Sequence, residues 1–213
     1  GLADSYADRI ELGTPVERVE PVNGSGSGFL LRAGSEERPV DDVVVTTPAG
    51  VTADLLDEVA PDAATALEGL TYNPLAVVHL VADGGLDAAG YQVALDESLD
   101  TLGVTSNHGL FGRYGLHTAY LGGHRTPELL DETDDEIGEL AAEEFRLTTG
   151  LDAQPVHIHR LRPGMPAYDR SWTAMDSLDL PNGLHLCANY AARAGIPGRA
   201  RQARTLAETL AGQ

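Results

Sequence analysis

The chain has 213 residues, 42% of them hydrophobic, and a formal net charge of -19. That is enough apolar material for one packed domain, or one domain plus half of another. All 14 basic residues are Arg and none is Lys, a halophile-like composition, since at molar salt a Debye length of about 3 Å screens carboxylate repulsion. The acidity excludes a nucleic-acid-binding face. No run approaches the roughly 18 apolar residues of a membrane span, and no secretory signal opens at Gly1, so a cytoplasmic location is expected.

In chain order, Thr14 to Val22 alternates like a strand, and Asn23-Gly-Ser-Gly-Ser-Gly28 is a loose turn without phosphate-loop spacing. Phe29 to Ala33 returns, which predicts a hairpin. Val43-Val44-Val45 reads as a strand buried on both faces. Asp54 to Val59 and Pro61 to Leu70 read as two short helices, with Pro61 at the first helical position of the second. Ala76 to Ala82, Tyr91 to Leu95, Leu102 to Ser106 and Thr118 to Leu121 then read as strands of an antiparallel sheet. Thr133-Asp-Asp-Glu136 is a capping box opening a helix with Ile137, Leu140, Ala141 and Phe145 on one stripe, closed by Gly150. Its acidic first turn complements the helix dipole and needs no catalytic explanation.

Val156 to Arg160 is another strand, on which His157 and His159 share a face. They could seed a metal site, but no third ligand is apparent, so no metal is expected. Gly164 to Tyr168 bends the chain, and Trp172 follows in a polar stretch. The single cysteine, Cys187, lies in an apolar strand and reads as a small core residue. After Gly183 to Tyr190 comes Ala194-Gly195-Ile196-Pro197-Gly198 and a helix carrying Ala200, Ala203, Leu206, Ala207 and Leu210 on its apolar stripe. A helix N-terminus after such a turn suits a phosphate or an electron-rich ring. Arg199, Arg201 and Arg204 in its first turns read either as a solvated face or as contacts to an anionic ligand. No G-x-G-x-x-G strand–turn–helix is present to hold the rest of a dinucleotide.

Six segments taken together resemble one family: TPVERV (14–19), DDVVVTTPA (41–49), NPLAVVHL (73–80), YLGGHRTPELLDETDDE (120–136), HIHRLRPGMPAY (157–168) and GLHLCANY…AGIP (183–197). They resemble the C-terminal half of the protoporphyrinogen and coproporphyrinogen oxidases, within the monoamine-oxidase-like flavoproteins. The resemblance implies an α/β plus α+β fold. Residues 1–70 and 165–213 would form a partial, Rossmann-like FAD-binding domain, and 71–164 an inserted substrate-binding domain with a mixed or antiparallel sheet.

The resemblance also implies FAD as cofactor and a porphyrinogen as small-molecule substrate, oxidised to the porphyrin in haem biosynthesis. It implies peripheral membrane contact of the full enzyme, and either a homodimer or a complementing N-terminal half as partner. Val16, Trp172, Ala194, Gly195 and Ile196 align with cofactor-contacting positions. Tyr91, Ala94 and Tyr120 align with positions lining the tetrapyrrole cavity. No catalytic acid–base residue is assigned. The chain departs from the family with Arg193 and Ala203 where glycine is usual, and it lacks the phosphate-binding half. Alone it is therefore expected to hold FAD weakly and to be inactive. Other readings are a carotenoid desaturase or amine oxidase of the same superfamily, a flavin-free tetrapyrrole-binding module, and an interaction protein completed by a separate chain.

Overall fold

A computed structural model describes residues 2–22, 28–192 and 195–212. The fold is α/β plus α+β, and the chain separates into two compact units. A split unit comprises Gly1–Thr71 and Tyr168–Gln213, and a continuous unit comprises Tyr72–Ala167.

The split unit opens with a one-turn helix, α1 (Leu2–Ser5). Strands β1 (Arg18–Pro21), β2 (Phe29–Ala33) and β3 (Glu36–Val40) form an antiparallel sheet with Val19 opposite Leu31 and Leu31 opposite Arg38. The expected hairpin is present, but its first strand begins at Arg18, and residues 23–27 of its turn lie outside the described residues. The third strand was not expected. It is polar and exposed, so it carries no hydrophobic alternation, and it forms because Gly34 takes φ +60 in a tight reversal that a side chain would strain. Arg32 pairs with Glu20 and Glu37 across this sheet.

Strand β4 (Val43–Val45) leads into helices α2 (Ala49–Leu56) and α3 (Pro61–Glu68). The sequence predicted burial on both faces of β4, but Val44 is 41% exposed and only Val45 is buried. Helix α2 starts five residues before its expected position. Pro48 sets its N-terminus, and the hydroxyl of buried Thr52 donates back to the Pro48 carbonyl at 3.0 Å.

The continuous unit contains β5 (Tyr72–Ala82), β6 (Gly90–Gln92), β7 (Thr101–Ser106), helix α4 (Asn107–Phe111), β8 (Leu116–Gly122), helix α5 (Asp134–Thr149) and β9 (Ala153–Pro166). The sheet order is β6-β7-β8-β5-β9, with antiparallel neighbours throughout. Period-two alternation puts Ala76, Val78 and Leu80 of β5 on one face, where they are fully buried with Ile137, Ala141 and Phe145 of α5. Each large side chain so buried contributes about 1.5–3 kcal/mol. The capping box forms as read, since Thr133 Oγ1 accepts from the Glu136 amide and the Glu136 carboxylate accepts from the Thr133 amide. Gly150 ends α5 in the left-handed region at φ +75.

Two differences from the sequence reading have local causes. Helix α4 is too short to show periodicity, and Ser106 caps it by accepting from the Gly109 amide. Strand β9 runs on through the expected bend at Gly164, pairing Asn73 with Met165 and Tyr72 with Pro166 after a bulge. A Cβ on Gly164 would stand 2.7 Å from the Asn73 carbonyl, so glycine here permits strand pairing to continue. The chain then returns to the split unit, where β10 (Leu184–Leu186) pairs in parallel with β4, and helix α6 (Ile196–Ala211) follows. No residue of α6 is buried, and Ala200, Ala203 and Ala207 of its predicted apolar stripe are exposed.

Candidate flavin-side turn and substrate cavity

In the split unit, a short segment joins β10 to α6. Tyr190 anchors it: the ring is fully buried and its hydroxyl donates to Thr52 Oγ1 at 2.8 Å. Side chains from elsewhere take the backbone carbonyls of this segment. Arg199, in the first turn of α6, donates to the carbonyls of Ala188, Asn189 and Ala192. Gln202 Nε2, one turn later, reaches Leu186 O at 3.3 Å and Ala191 O at 3.5 Å. Trp172 Nε1 donates to Tyr190 O at 2.7 Å. Tyr168 donates to Asn189 O at 2.9 Å and approaches Ala192 O at 3.5 Å. Six consecutive or near-consecutive carbonyls are thus taken by four side chains. The structure therefore gives Arg199 a backbone role in place of the two sequence readings, while Arg201 and Arg204 are exposed.

Trp172 sits in a single 3-10 stretch, Arg170–Ser177, whose start is fixed by Asp169. The Asp169 carboxylate accepts from Ser171 N at 2.8 Å, Ser171 Oγ at 2.6 Å and Thr71 Oγ1 at 2.7 Å. The bonds from Ser171 and then Thr71 hold its carboxyl below the usual range. Tyr168 is the one non-glycine residue with positive φ (50°) among those described. For a tyrosine this conformation costs about 1–3 kcal/mol and persists only where contacts impose it. Its ring lies edge-on to Trp172, with centroids 5.5 Å apart.

Helix α6 begins at Ile196 after Gly195, with no side-chain cap. Gly195 has φ +104, and among the described residues a Cβ placed there would meet Pro197 Cδ, at 3.8 Å. An uncapped helix start approached through an open glycine fits a flavin ring or ribityl edge, because the dipole end and the small residue both permit close approach. Ile196 is 85% exposed beside it, and Ala194 and Arg193 lie outside the described residues. Val16 is 39% exposed and lines a separate cavity of about 250 Å³ with Thr14, Leu31, Ala33, Arg9 and Arg38. Hydrogen bonding from Arg38 there holds the Glu11 carboxyl low.

The continuous unit has a cavity of about 650 Å³ on the sheet face opposite α5. Its lining includes Leu75, Gln92, Gly103, Thr105, Tyr120 and Met165. Tyr120, opposite Gly103 and Val77, projects on this face, and its hydroxyl accepts from Thr105 Oγ1 at 3.3 Å. Tyr91 lines the same cavity. It stands opposite Val104, and its ring also packs against the core. Its hydroxyl donates to Thr148 Oγ1 of α5 at 2.6 Å, and burial raises its pKa. Ala94 is exposed in the turn after β6 and is not among the lining residues.

The face also carries a row of imidazoles that the sequence only half disclosed. His157 stands opposite His79, with centroids 5.9 Å apart, and His159 follows at 5.8 Å from His157. Asn107 Nδ2 donates to Thr118 Oγ1 at 2.7 Å, and that hydroxyl meets His79 Nδ1 at 3.1 Å. Among the described residues no group of three or more His, Cys, Asp or Glu is arranged to hold a metal ion. None of their helices is long and apolar enough to cross a membrane.

The sequence pattern of the flavin containing amine oxidoreductases matches residues 1–211. The chain belongs to this family. Protoporphyrinogen oxidase 1 of Spinacia oleracea chloroplasts is 31% identical over 121 residues, which is 49% of this chain and 21% of that protein. The chloroplastic protoporphyrinogen oxidase of Nicotiana tabacum is 26% identical over 177 residues, 70% of this chain and 32% of that protein. Among solved structures, a candidate protoporphyrinogen oxidase from Exiguobacterium sp. 255-15 superposes with a TM-score of 0.72 at 21% identity, covering 98% of this chain and 50% of its own. Putrescine oxidase bound to putrescine superposes with a TM-score of 0.77 at 14% identity, covering all of this chain and 51% of its own. At these identities the structures show a shared fold. The chain spans well under half the length of the curated relatives and about half of the solved chains.

Proposed function

We propose that this chain provides one wall of an FAD site and the substrate cavity of a flavin-dependent oxidase acting on a porphyrinogen, protoporphyrinogen IX or coproporphyrinogen III. The observation carrying the flavin part is the β10–α6 connection: an uncapped helix start behind an open glycine, with the preceding carbonyls already taken by Arg199, Gln202, Trp172 and Tyr168. On this reading Gly195, Ile196 and Ala194 lie by the flavin ring and ribityl chain, Trp172 orients the turn and contacts the cofactor, and Val16 meets the adenine. The G-x-G-x-x-G element would come from residues outside the sequence. When bound, the flavin supplies the two-electron acceptor for carbon oxidation. This chain's part is to shape the site, fix its backbone and exclude water.

The substrate assignment rests on the cavity and on the similarity to plant protoporphyrinogen oxidases. The lining is mostly apolar, with Tyr91, Tyr120, Thr105 and Gln92 as polar groups and no carboxylate among the described lining residues to favour an ammonium. That supports a large apolar ring over an amine. Within this reading Tyr120 and Tyr91 both line the substrate site, and Tyr91 is held in place by Thr148.

FAD titration of the chain tests the cofactor part: weak, saturable quenching of Trp172 is expected, and no saturable uptake would overturn it. A protein extended to include a dinucleotide-binding segment is then offered porphyrinogen, putrescine and phytoene. Porphyrin formation with no amine or polyene oxidation is expected, and preferential amine oxidation would overturn the substrate assignment. The halophile-like composition is tested by unfolding in low and molar potassium chloride, where greater stability at high salt is expected.

A further inference from the structure

Tyr168 occupies a backbone conformation that its residue type resists, with φ of 50°. Nothing in the local sequence calls for it: glycine would adopt the conformation without strain, and Gly164 stands nearby in the chain. What the conformation achieves is a direction. The hydroxyl meets Asn189 O at 2.9 Å and Ala192 O at 3.5 Å, and the ring braces the edge of Trp172. Arg199 donates to the same two carbonyls. A carbonyl oxygen has two lone pairs, so a guanidinium and a phenol can hold each one together. Trp172, steadied by Tyr168, holds the intervening Tyr190 carbonyl at 2.7 Å.

We propose that Tyr168 is a positioning residue for the 188–192 turn, its strained backbone aiming the hydroxyl at carbonyls shared with Arg199 so that the peptide planes beside the flavin are fixed before the cofactor binds. The clamp is a property of the turn itself, while its purpose rests on the flavin reading above. A turn ordered in advance spares the cofactor the cost of ordering it.

The test uses the full chain and two variants. Tyr168→Phe keeps the ring and deletes the hydroxyl. Loss of one hydrogen bond is expected to speed amide exchange in peptides spanning 188–192 by about tenfold and to weaken FAD binding by a similar factor. Exchange in β5 and β9 and the melting temperature stay close to those of the parent chain. Tyr168→Gly removes the strain together with the ring. It is expected to bind FAD more weakly still and to shift the emission of Trp172, the single tryptophan. Unchanged exchange at 188–192 in Tyr168→Phe overturns the clamp, whether or not FAD binds. Parent-like FAD affinity in Tyr168→Gly overturns the positioning role. If the parent chain takes up no FAD, the flavin reading falls, and the exchange comparison alone judges the clamp.

Discussion

The two units hold themselves together by different means. The continuous unit has a long helix laid on one face of a five-stranded sheet, with Val78, Leu80, Leu121, Ile137 and Phe145 fully enclosed. The buried residues of helices α2 and α3 in the split unit are mostly small, Ala49, Ala53, Ala63 and Ala64 beside Leu56 and Leu67. What the split unit lacks in apolar enclosure it replaces with side chains bonded to backbone carbonyls, most densely between β10 and α6. The contrast teaches that one half of this chain is specified by volume and the other by direction. Volume tolerates conservative change, whereas a hydrogen bond is lost with a single atom.

The strongest way to break this contrast is Phe145→Ala, expected to destabilise the continuous unit by about 3–5 kcal/mol. Urea unfolding followed by amide exchange should show β5 and β9 losing protection. Next is Glu144, a buried carboxylate that accepts from Asp100 N at 2.8 Å and Thr101 N at 2.7 Å. Glu144→Ala leaves both amides without their acceptor and is expected to cost about 1–3 kcal/mol, with Glu144→Gln costing less. This polar tie inside the apolar unit should rank below the core truncation.

His117 gives a pH test. Its ring is fully buried against Phe145, and burial, offset only in part by the Gly84 backbone, pushes its pKa below the ordinary 6.5. As pH falls below 6.5 the unfolded chain therefore takes up a proton that the folded chain refuses. Stability then falls with pH, by at most about 1.4 kcal/mol per pH unit, until the depressed folded pKa is passed. The lowered carboxyl groups of Glu136 and Asp169 add their own loss only below their ordinary values of 4.5 and 3.8. Melting temperatures between pH 7 and pH 5 should fall in the parent chain and flatten in His117→Phe. Thr133→Ala removes the capping box of α5 and is expected to cost about 1 kcal/mol by the same measurement. Smallest is Tyr190→Phe in the split unit, below about 1 kcal/mol, because Thr52 keeps its bond to the Pro48 carbonyl.

What the sequence disclosed follows the same division. Apolar period and caps located β5, β8 and α5, because alternation, the Thr133 box and Gly150 are local signals of burial and termination. Strand β3 and helix α4 leave no such signal, the one being polar and exposed, the other only five residues long. Of the aligned cavity positions, Tyr120 and Tyr91 both line the cavity, but the Tyr91 hydroxyl is also tied to Thr148 of α5, a long-range partner that no single strand reveals. The roles of Arg199 and Tyr168 were hidden for a related reason. Their partners are main-chain carbonyls, which carry no residue identity to read.

The pairing of Tyr72 with Pro166 joins the first residue of β5 to the last of β9, and so ties the entrance of the continuous unit to its exit. Opposed residues in such a ladder stand about 4.5–5.5 Å apart. Once that unit has folded, the two segments of the split unit are joined as though by a short tether rather than by the whole stretch from Tyr72 to Ala167. The closure entropy of the long loop has then already been met. The inserted unit acts on its host as a cross-link made without a covalent bond, so order in the cavity-bearing half lowers the entropic barrier to joining β4 with β10.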